Sequence, residues 1–192
     1  MTGRKTTSFR FSIGSFAHLV LLTALAIPAT LLAQEPDHQH GSGQSPASSE
    51  LVMVVRKATV QFIDVNNATA AGYGPFLGCV SGPDHGAMGI HYVNGTLVGD
   101  GQLDPYHPEA LIYEPSHGKL RLVGVEFIVD AATWLANHDN TPPVLDGQTF
   151  QFVDSPNRFN LNPFFELHVW AWRDNPQGAF VDWNNHVSCE GQ

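Results

Sequence analysis

The sequence predicts an α+β domain: a curved antiparallel β-sheet with one main helix packed against it and a short inserted helix. Three observations carry that reading. Residues Glu50 to Ala71 place apolar side chains at helical spacing. Beyond them, short runs rich in Val, Ile, Phe and Tyr alternate with clusters of Gly, Pro, Asn and Asp, the pattern of strands joined by turns. Between two of those runs, Asp130 precedes a brief helical stretch, Ala131 to His138. No internal repeat is visible.

Residues 1–33 open with Arg4, Lys5 and Arg10, continue through an apolar run and end on the small Ala33, which predicts a Sec-type signal peptide cleaved near Ala33. His18 and Pro28 interrupt the run, which argues against a retained membrane anchor. The absence of an adjacent Arg pair and of a cysteine at the cleavage point argues against twin-arginine export and lipid attachment. Residues 34–49 are rich in Pro, Gly and Ser and predict a flexible linker, in which His38 and His40 read as solvated side chains sooner than as loose copper or zinc ligands. Residues 50–192 are then a single α+β domain in which no stretch is long and apolar enough to span a bilayer.

The chain carries 9 Lys+Arg against 18 Asp+Glu, and losing the three basic residues of the leader leaves six against 18, a formal charge of −12. Such an acidic surface disfavours nucleic acid and anionic membranes as partners. Cys79 and Cys189 are the only cysteines. In an exported chain their default reading is a disulfide, with two free thiols or a metal pair as the alternatives. Losing the bond is expected to lower stability without touching a binding pocket.

In chain order, the first helix is predicted from Val52, Val55, Thr59, Phe62, Val65 and Ala68, with Ser48 or Ser49 as cap, Glu50 in the first turn and Gly72 as stop. Its Val, Ile and Thr would also suit a strand. Tyr73 to Gly86, punctuated by Gly74, Pro75, Gly78, Gly82 and Pro83, predicts a loop that delivers Cys79. Ala87 to Val93 predicts a short strand. Asn94-Gly95 is a hairpin signal, but Thr96 to His107 holds too many Gly, Asp and Pro residues for a return strand and predicts a long excursion. Glu109 to Glu114, a turn at Pro115 to Gly118, and Lys119 to Val129 form the clearest hairpin. Along its second strand Leu122, Gly124, Glu126 and Ile128 share one face, against Val123, Val125, Phe127 and Val129. Thr149 to Val153 predicts a further strand. In Phe164 to Trp172, Glu166, His168, Trp170 and Trp172 share one face, against Phe165, Leu167, Val169 and Ala171. Asn175-Pro176-Gln177-Gly178 breaks that strand, and Ala179 to Trp183 can return antiparallel beside it.

The candidate chemistry lies in His91, Glu114, Glu126, Glu166 and His168, because each falls in or at the end of a predicted strand rather than in a loop. A carboxylate buried there must be paired, protonated, hydrogen-bonded or bound to a cation. Two imidazoles with one to three carboxylates suit zinc, manganese or non-haem iron, and Glu166 and His168, two apart on a strand, can point into one space. The alternative is a buried polar network tied by Arg121, Arg158 and Arg173. No zinc-protease helix motif, P-loop or dinucleotide fingerprint is present, and neither Ser81 nor Ser188 lies in a Gly-x-Ser-x-Gly turn. His85, His107, His117, His138 and His186 fall in polar turns or helix ends and read as surface histidines.

The segments GAMGIHYVN (Gly86 to Asn94), PEALIYEP (Pro108 to Pro115), LVGVEF (Leu122 to Phe127) and ELHVWAWRDNPQGAFVDWNNHVSC (Glu166 to Cys189) resemble those of a family of uncharacterised exported bacterial proteins. The resemblance spans most of the domain and implies export and the same domain boundaries; it implies no activity.

Three functional readings follow. The first is an exported module that binds a small ligand or a metal in a polar pocket, with Glu126, Glu166, His168 and Trp170 around the ligand and His91, Glu126, Glu166 and His168 as ligands to a divalent transition metal. The second is a metal-dependent enzyme that uses His91 and His168 with one of those glutamates. The third is a structural envelope protein whose buried polar network ties the sheet together.

Overall fold

The computed structural model describes residues 49–192; the predicted leader and all but the last residue of the predicted linker lie outside the described residues. Helix α1 (Glu50–Thr59), a 3-10 turn (Val60–Ile63) and helix α2 (Val65–Ala70) precede strands β1 (Gly74–Gly82) and β2 (Gly86–Val93). Helix α3 (Gly95–Asp100), strands β3 (Ala110–Ser116) and β4 (Lys119–Asp130) and helix α4 (Ala131–Asn137) come next. Two-residue strands β5 (Val144–Leu145) and β6 (Gln148–Thr149) pair with each other, and β7 (Gln151–Val153) and β8 (Phe164–Val169) complete the chain's regular structure. Six strands form one sheet in the order β1-β2-β3-β4-β8-β7, every neighbour antiparallel. The sheet curls into a half-barrel, so the architecture is the α+β arrangement that the patterning predicts.

The apolar periodicity of the N-terminal segment does not make one continuous helix. Asp64 interrupts it, because its carboxylate accepts the Asn66 amide at 3.0 Å and so caps α2 as a new helix. Asp130 caps α4 as its sequence position predicts, accepting the Thr133 amide at 2.8 Å. The segment predicted as a loop, Tyr73 to Gly86, is instead mostly β1. As the sheet's edge, β1 tolerates the Gly and Pro residues that argue against a central strand, and its register with β2 shifts between Phe76 and Val80 and again at Ser81. The long excursion contains α3, capped by the Asn94 side chain accepting from the Thr96 amide at 3.0 Å. The β3–β4 hairpin closes on His117-Gly118, both at positive φ (50° and 73°), as a two-residue turn matched to strand twist requires.

One bulge decides which side chains face where. The β3–β4 pairing steps from Ile112 opposite Gly124 to Tyr113 opposite Leu122, leaving Val123 as the extra residue. Strict alternation would put Leu122 beside Glu126; the bulge moves Leu122 to the opposite face, where it packs with Tyr113 and Val125. Val123 joins Ile112, Trp170, Ala87 and Val187 on the other side. Its carbonyl accepts the amides of Trp172 and Arg173, each at 3.0 Å, and this anchors the chain as it leaves β8.

The helix side holds the main core. Leu51, Val52 and Val55 of α1 pack with Leu111, Tyr113, Val125, Phe127, Leu167 and Val169, all buried. Each such side chain contributes roughly 1.5 to 3 kcal/mol on removal from water. Two polar groups stitch helix to sheet: the Tyr113 hydroxyl donates to the Phe62 carbonyl at 2.7 Å, and Trp172 Nε1 donates to Thr59 Oγ1 at 2.9 Å. Trp172 thus belongs to the helix side and does not share a face with Glu166, His168 and Trp170, because β8 ends at Val169 and the chain turns there. Ala179 to Trp183 forms no return strand; it is an irregular turn.

Candidate functional site

The opposite face of the sheet brings together four of the residues selected from sequence. Register places Glu126 of β4 directly across from His168 of β8, and Ile128 across from Glu166. His91 lies two strands away on β2, but β3 offers only the small Ala110 opposite Glu126, so the imidazole leans across β3 to meet it. His91, Glu126, Glu166 and His168 are 7%, 5%, 4% and 1% exposed. The fifth candidate, Glu114, lies apart. It pairs with Arg121 and accepts the Ser188 amide at 3.0 Å, which ties the C-terminal segment to the hairpin.

Within the cluster, His91 Nε2 lies 3.3 Å from Glu126 Oε2 and 3.5 Å from His168 Nε2. The carboxyls of Glu126 and Glu166 hydrogen-bond to each other. His168 Nδ1 is buried without a hydrogen-bond partner among the described residues, with Asp182 Oδ1 3.7 Å away. The two rings meet edge to face, their centroids 5.7 Å apart.

Burial sets the protonation states. It lowers both imidazoles to a pKa of about 3, helped at His91 by the neighbouring His168, so both rings are neutral near pH 7 and each presents one nitrogen lone pair. Burial also raises Glu166 to about 7 and Glu126 well above the usual carboxylate range, where the charge of Glu166 adds to the effect. Two carboxyls in contact and away from water therefore hold a proton between them. The arginines named as tying residues do not reach this cluster: Arg121 pairs with Glu114, Arg158 lies over the Phe159 and Trp183 rings, and Arg173 donates to the His186 carbonyl. Among the described residues, no Lys or Arg side chain is ion-paired with these four.

Two of the contacts within the cluster are long for hydrogen bonds. An N–H···O bond is normally about 2.9 Å long, so contacts of 3.3 and 3.5 Å are poor hydrogen bonds. They match the edge of a tetrahedron whose bonds are about 2.0 to 2.1 Å, which is about 3.3 to 3.4 Å. One potential ligand atom from each of His91, Glu126 and His168 lies within 4.8 Å of the others, and Glu166, His168 and Asp182 form a second such group.

A cavity of about 50 Å³ adjoins the cluster, walled by Phe76, Leu77, Val80, Phe159, Leu161 and Phe164. It has room for an ion with a few waters, but not for the several-hundred-Å³ organic ligands that larger pockets hold. Trp170 does not line it. That indole stacks beside His168 at 6.0 Å and donates its N–H to the Val181 carbonyl at 2.6 Å. Gly124 makes this packing feasible, since a Cβ there would meet the Val169 carbonyl at 2.9 Å and the Trp170 ring at 3.2 Å. A larger cavity of about 250 Å³, between α3 and α4, contains none of the His/Glu set.

Cys79 and Cys189 form the expected disulfide. The bond is not remote from the site, because Cys79 lies in the bulged part of β1 between Phe76 and Val80, both of which wall the cavity. Sequence reasoning missed Asp182, which the irregular turn carries to His168. No protein-family model, no curated protein and no solved structure matches the chain.

Proposed function

We propose that this domain is a metal-binding module that holds one divalent transition-metal ion through the Nε2 atoms of His91 and His168 and the carboxylate of Glu126, with Glu166 beside them. The observation that carries the reading is the convergence of two neutral imidazoles and two carboxyls, nearly excluded from water, with no Lys or Arg among the described residues ion-paired to them. A cation replaces the proton that the carboxyls otherwise share, and the rings need no deprotonation to bind it. A purely structural network would leave those carboxyls balanced by protons alone, which is the weaker account of so buried a cluster.

The enzyme reading is favoured by one further observation, the small cavity beside the three ligand atoms. Three protein ligands with an open fourth position are the layout of catalytic rather than structural zinc sites. The disulfide favours action in an oxidising compartment outside the cytoplasm, and no helix among the described residues is long and apolar enough to cross a membrane.

The test is metal analysis of protein purified without an affinity tag and without added metal, followed by titration with zinc, manganese and ferrous ions. About one bound equivalent is expected in the wild type and none in His168→Ala. A wild type that neither carries nor takes up a stoichiometric ion would overturn the reading.

A further inference from the structure

We propose that Asp182 is the positioning residue of this site: its carboxylate holds the Nδ1–H of His168, which leaves the Nε2 lone pair aimed at the ion. The inference rests on the metal-site reading above and adds a residue from outside the sheet.

A neutral imidazole carries one proton and must place it on one of two nitrogens. At His168, Nε2 faces His91 Nε2 at 3.5 Å and Glu126 beyond it, in the space where the ligand atoms converge. Nδ1 faces the other way, fully buried and without a hydrogen-bond partner, with the Asp182 carboxylate 3.7 Å off. A proton on Nε2 would block the ligand position and leave Nδ1 as a bare acceptor beside an anion. A proton on Nδ1 removes both faults at once. Outer carboxylates that accept from a ligating histidine fix its tautomer and strengthen it as a ligand in just this way.

The ring has no freedom to seek another partner. Trp170 flanks it at 6.0 Å and the perpendicular His91 ring at 5.7 Å. Asp182, by contrast, is 20% exposed at its side chain and comes from an irregular turn. A shift of about 1 Å there turns the 3.7 Å approach into a charge-assisted hydrogen bond. Its aim is already set. Gln151 Nε2 donates to Asp182 Oδ2 at 2.9 Å while Oδ1 is the oxygen 3.7 Å from the ring, and the turn is pinned where Trp170 Nε1 donates to the Val181 carbonyl and the Trp170 amide to the Ala179 carbonyl. The same three residues, Glu166, His168 and Asp182, could instead hold a second ion. That arrangement would need Nδ1 stripped of its proton so that the ring bridges two metals, a greater demand than a single hydrogen bond.

The experiment uses untagged, disulfide-intact protein. Zinc affinity is measured by competition with a chromophoric chelator for the wild type, Asp182→Ala and Asp182→Asn, with stoichiometry recorded for each. Asp182→Ala is expected to bind about one ion with affinity about 10- to 100-fold lower. Asp182→Asn, which keeps a weaker acceptor, should fall between it and the wild type. Nitrogen-15 chemical shifts of His168 in metal-free protein supply a second readout: the proton should reside on Nδ1 in the wild type and spread over both nitrogens in Asp182→Ala. Unchanged affinity in Asp182→Ala overturns the proposal, as does a proton found on Nε2 in the wild type. Two ions in the wild type and one in the variant would make Asp182 a ligand and overturn it too. A wild type that binds no zinc sinks the metal reading, while the tautomer still decides the pairing with Asp182.

Discussion

Phe127 and Glu126 are neighbours on β4, 0% and 5% exposed, and they point to opposite faces of one sheet. The Phe127 side is covered by helices and closed by apolar packing, with hydrogen bonds from Tyr73, Tyr113 and Trp172 among its polar contacts. The Glu126 side is covered by the bulged edge strand β1 and by Phe159 and Leu161 of the segment before β8, and its centre is two imidazoles and two carboxyls. Equal burial with opposite chemistry teaches that water exclusion does different things on the two faces. On one it is the source of stability. On the other it strips charge from groups that ordinarily carry it.

The lid of the polar face is where the comparison breaks most readily. The Cys79–Cys189 bond closes a sequence separation of 110 residues, which corresponds to about 4 to 5 kcal/mol in the chain-entropy picture. It also fastens β1, which walls the cavity, to the C-terminal segment. Reduction, or Cys79→Ser with Cys189→Ser, should lower the denaturation free energy by that order. It should also speed hydrogen exchange at Val80 more than at Val125, since the unfastened edge opens before the helix-covered centre. Denaturant midpoints and site-resolved exchange check this; equal acceleration at both positions would mean that the bond stabilises only globally.

A paired substitution sharpens the contrast within one strand. Phe127→Ala removes a fully buried ring and should cost about 3 to 5 kcal/mol. Glu126→Gln keeps shape, burial and a donor toward Glu166 while removing a carboxyl that burial already keeps protonated, so in metal-free protein it should change stability by less than about 1 kcal/mol. Added zinc should raise the midpoint of the wild type and not of Glu126→Gln, because only the folded wild type binds it. Should Glu126→Gln prove as costly as Phe127→Ala without metal, the polar face would be a structural network after all.

The sequence disclosed the two faces unequally. Period-two alternation put Glu126, Glu166 and His168 on strands with charged and apolar sides correctly separated, and the hairpin signals placed β3 beside β4. That His91 reaches the same point depended on strand order and on the smallness of Ala110, neither of which lies in the local pattern around residue 91. Alternation failed at Leu122 because a bulge shifts parity by one, and at Trp172 because β8 stops after Val169. β1 escaped notice since an edge strand takes its conformation from its partner more than from its own Gly- and Pro-rich residues. Asp182 was beyond pattern reading altogether, being delivered by a turn whose shape is set by the carbonyls that Trp170 captures.

Glu109 tests whether a buried carboxyl behaves differently where no ion group is formed. It is 1% exposed, just before β3, and accepts the Ile128 amide at 3.0 Å. Burial raises its pKa from the usual 4.5 to about 8, against the lowering effect of that hydrogen bond and with help from the charges of Asp100 and Asp104. Since the folded-state value lies above the unfolded one, the stability linked to this proton is complete below pH 4.5 and is lost as pH rises through about 8. Glu126 and Glu166 act in the same direction and do so equally in Glu109→Gln, and the two histidines, lowered to about 3, change little above pH 6.5. Between about pH 6.5 and pH 8 the wild type should therefore lose about 2 kcal/mol through Glu109, and Glu109→Gln should not. Denaturation of chelator-treated protein at both pH values measures the difference in slope, which zinc should leave unaltered because Glu109 belongs to neither candidate ligand group. Parallel losses in the two proteins would show that Glu109 is already ionised, and that burial alone does not hold the proton at this position.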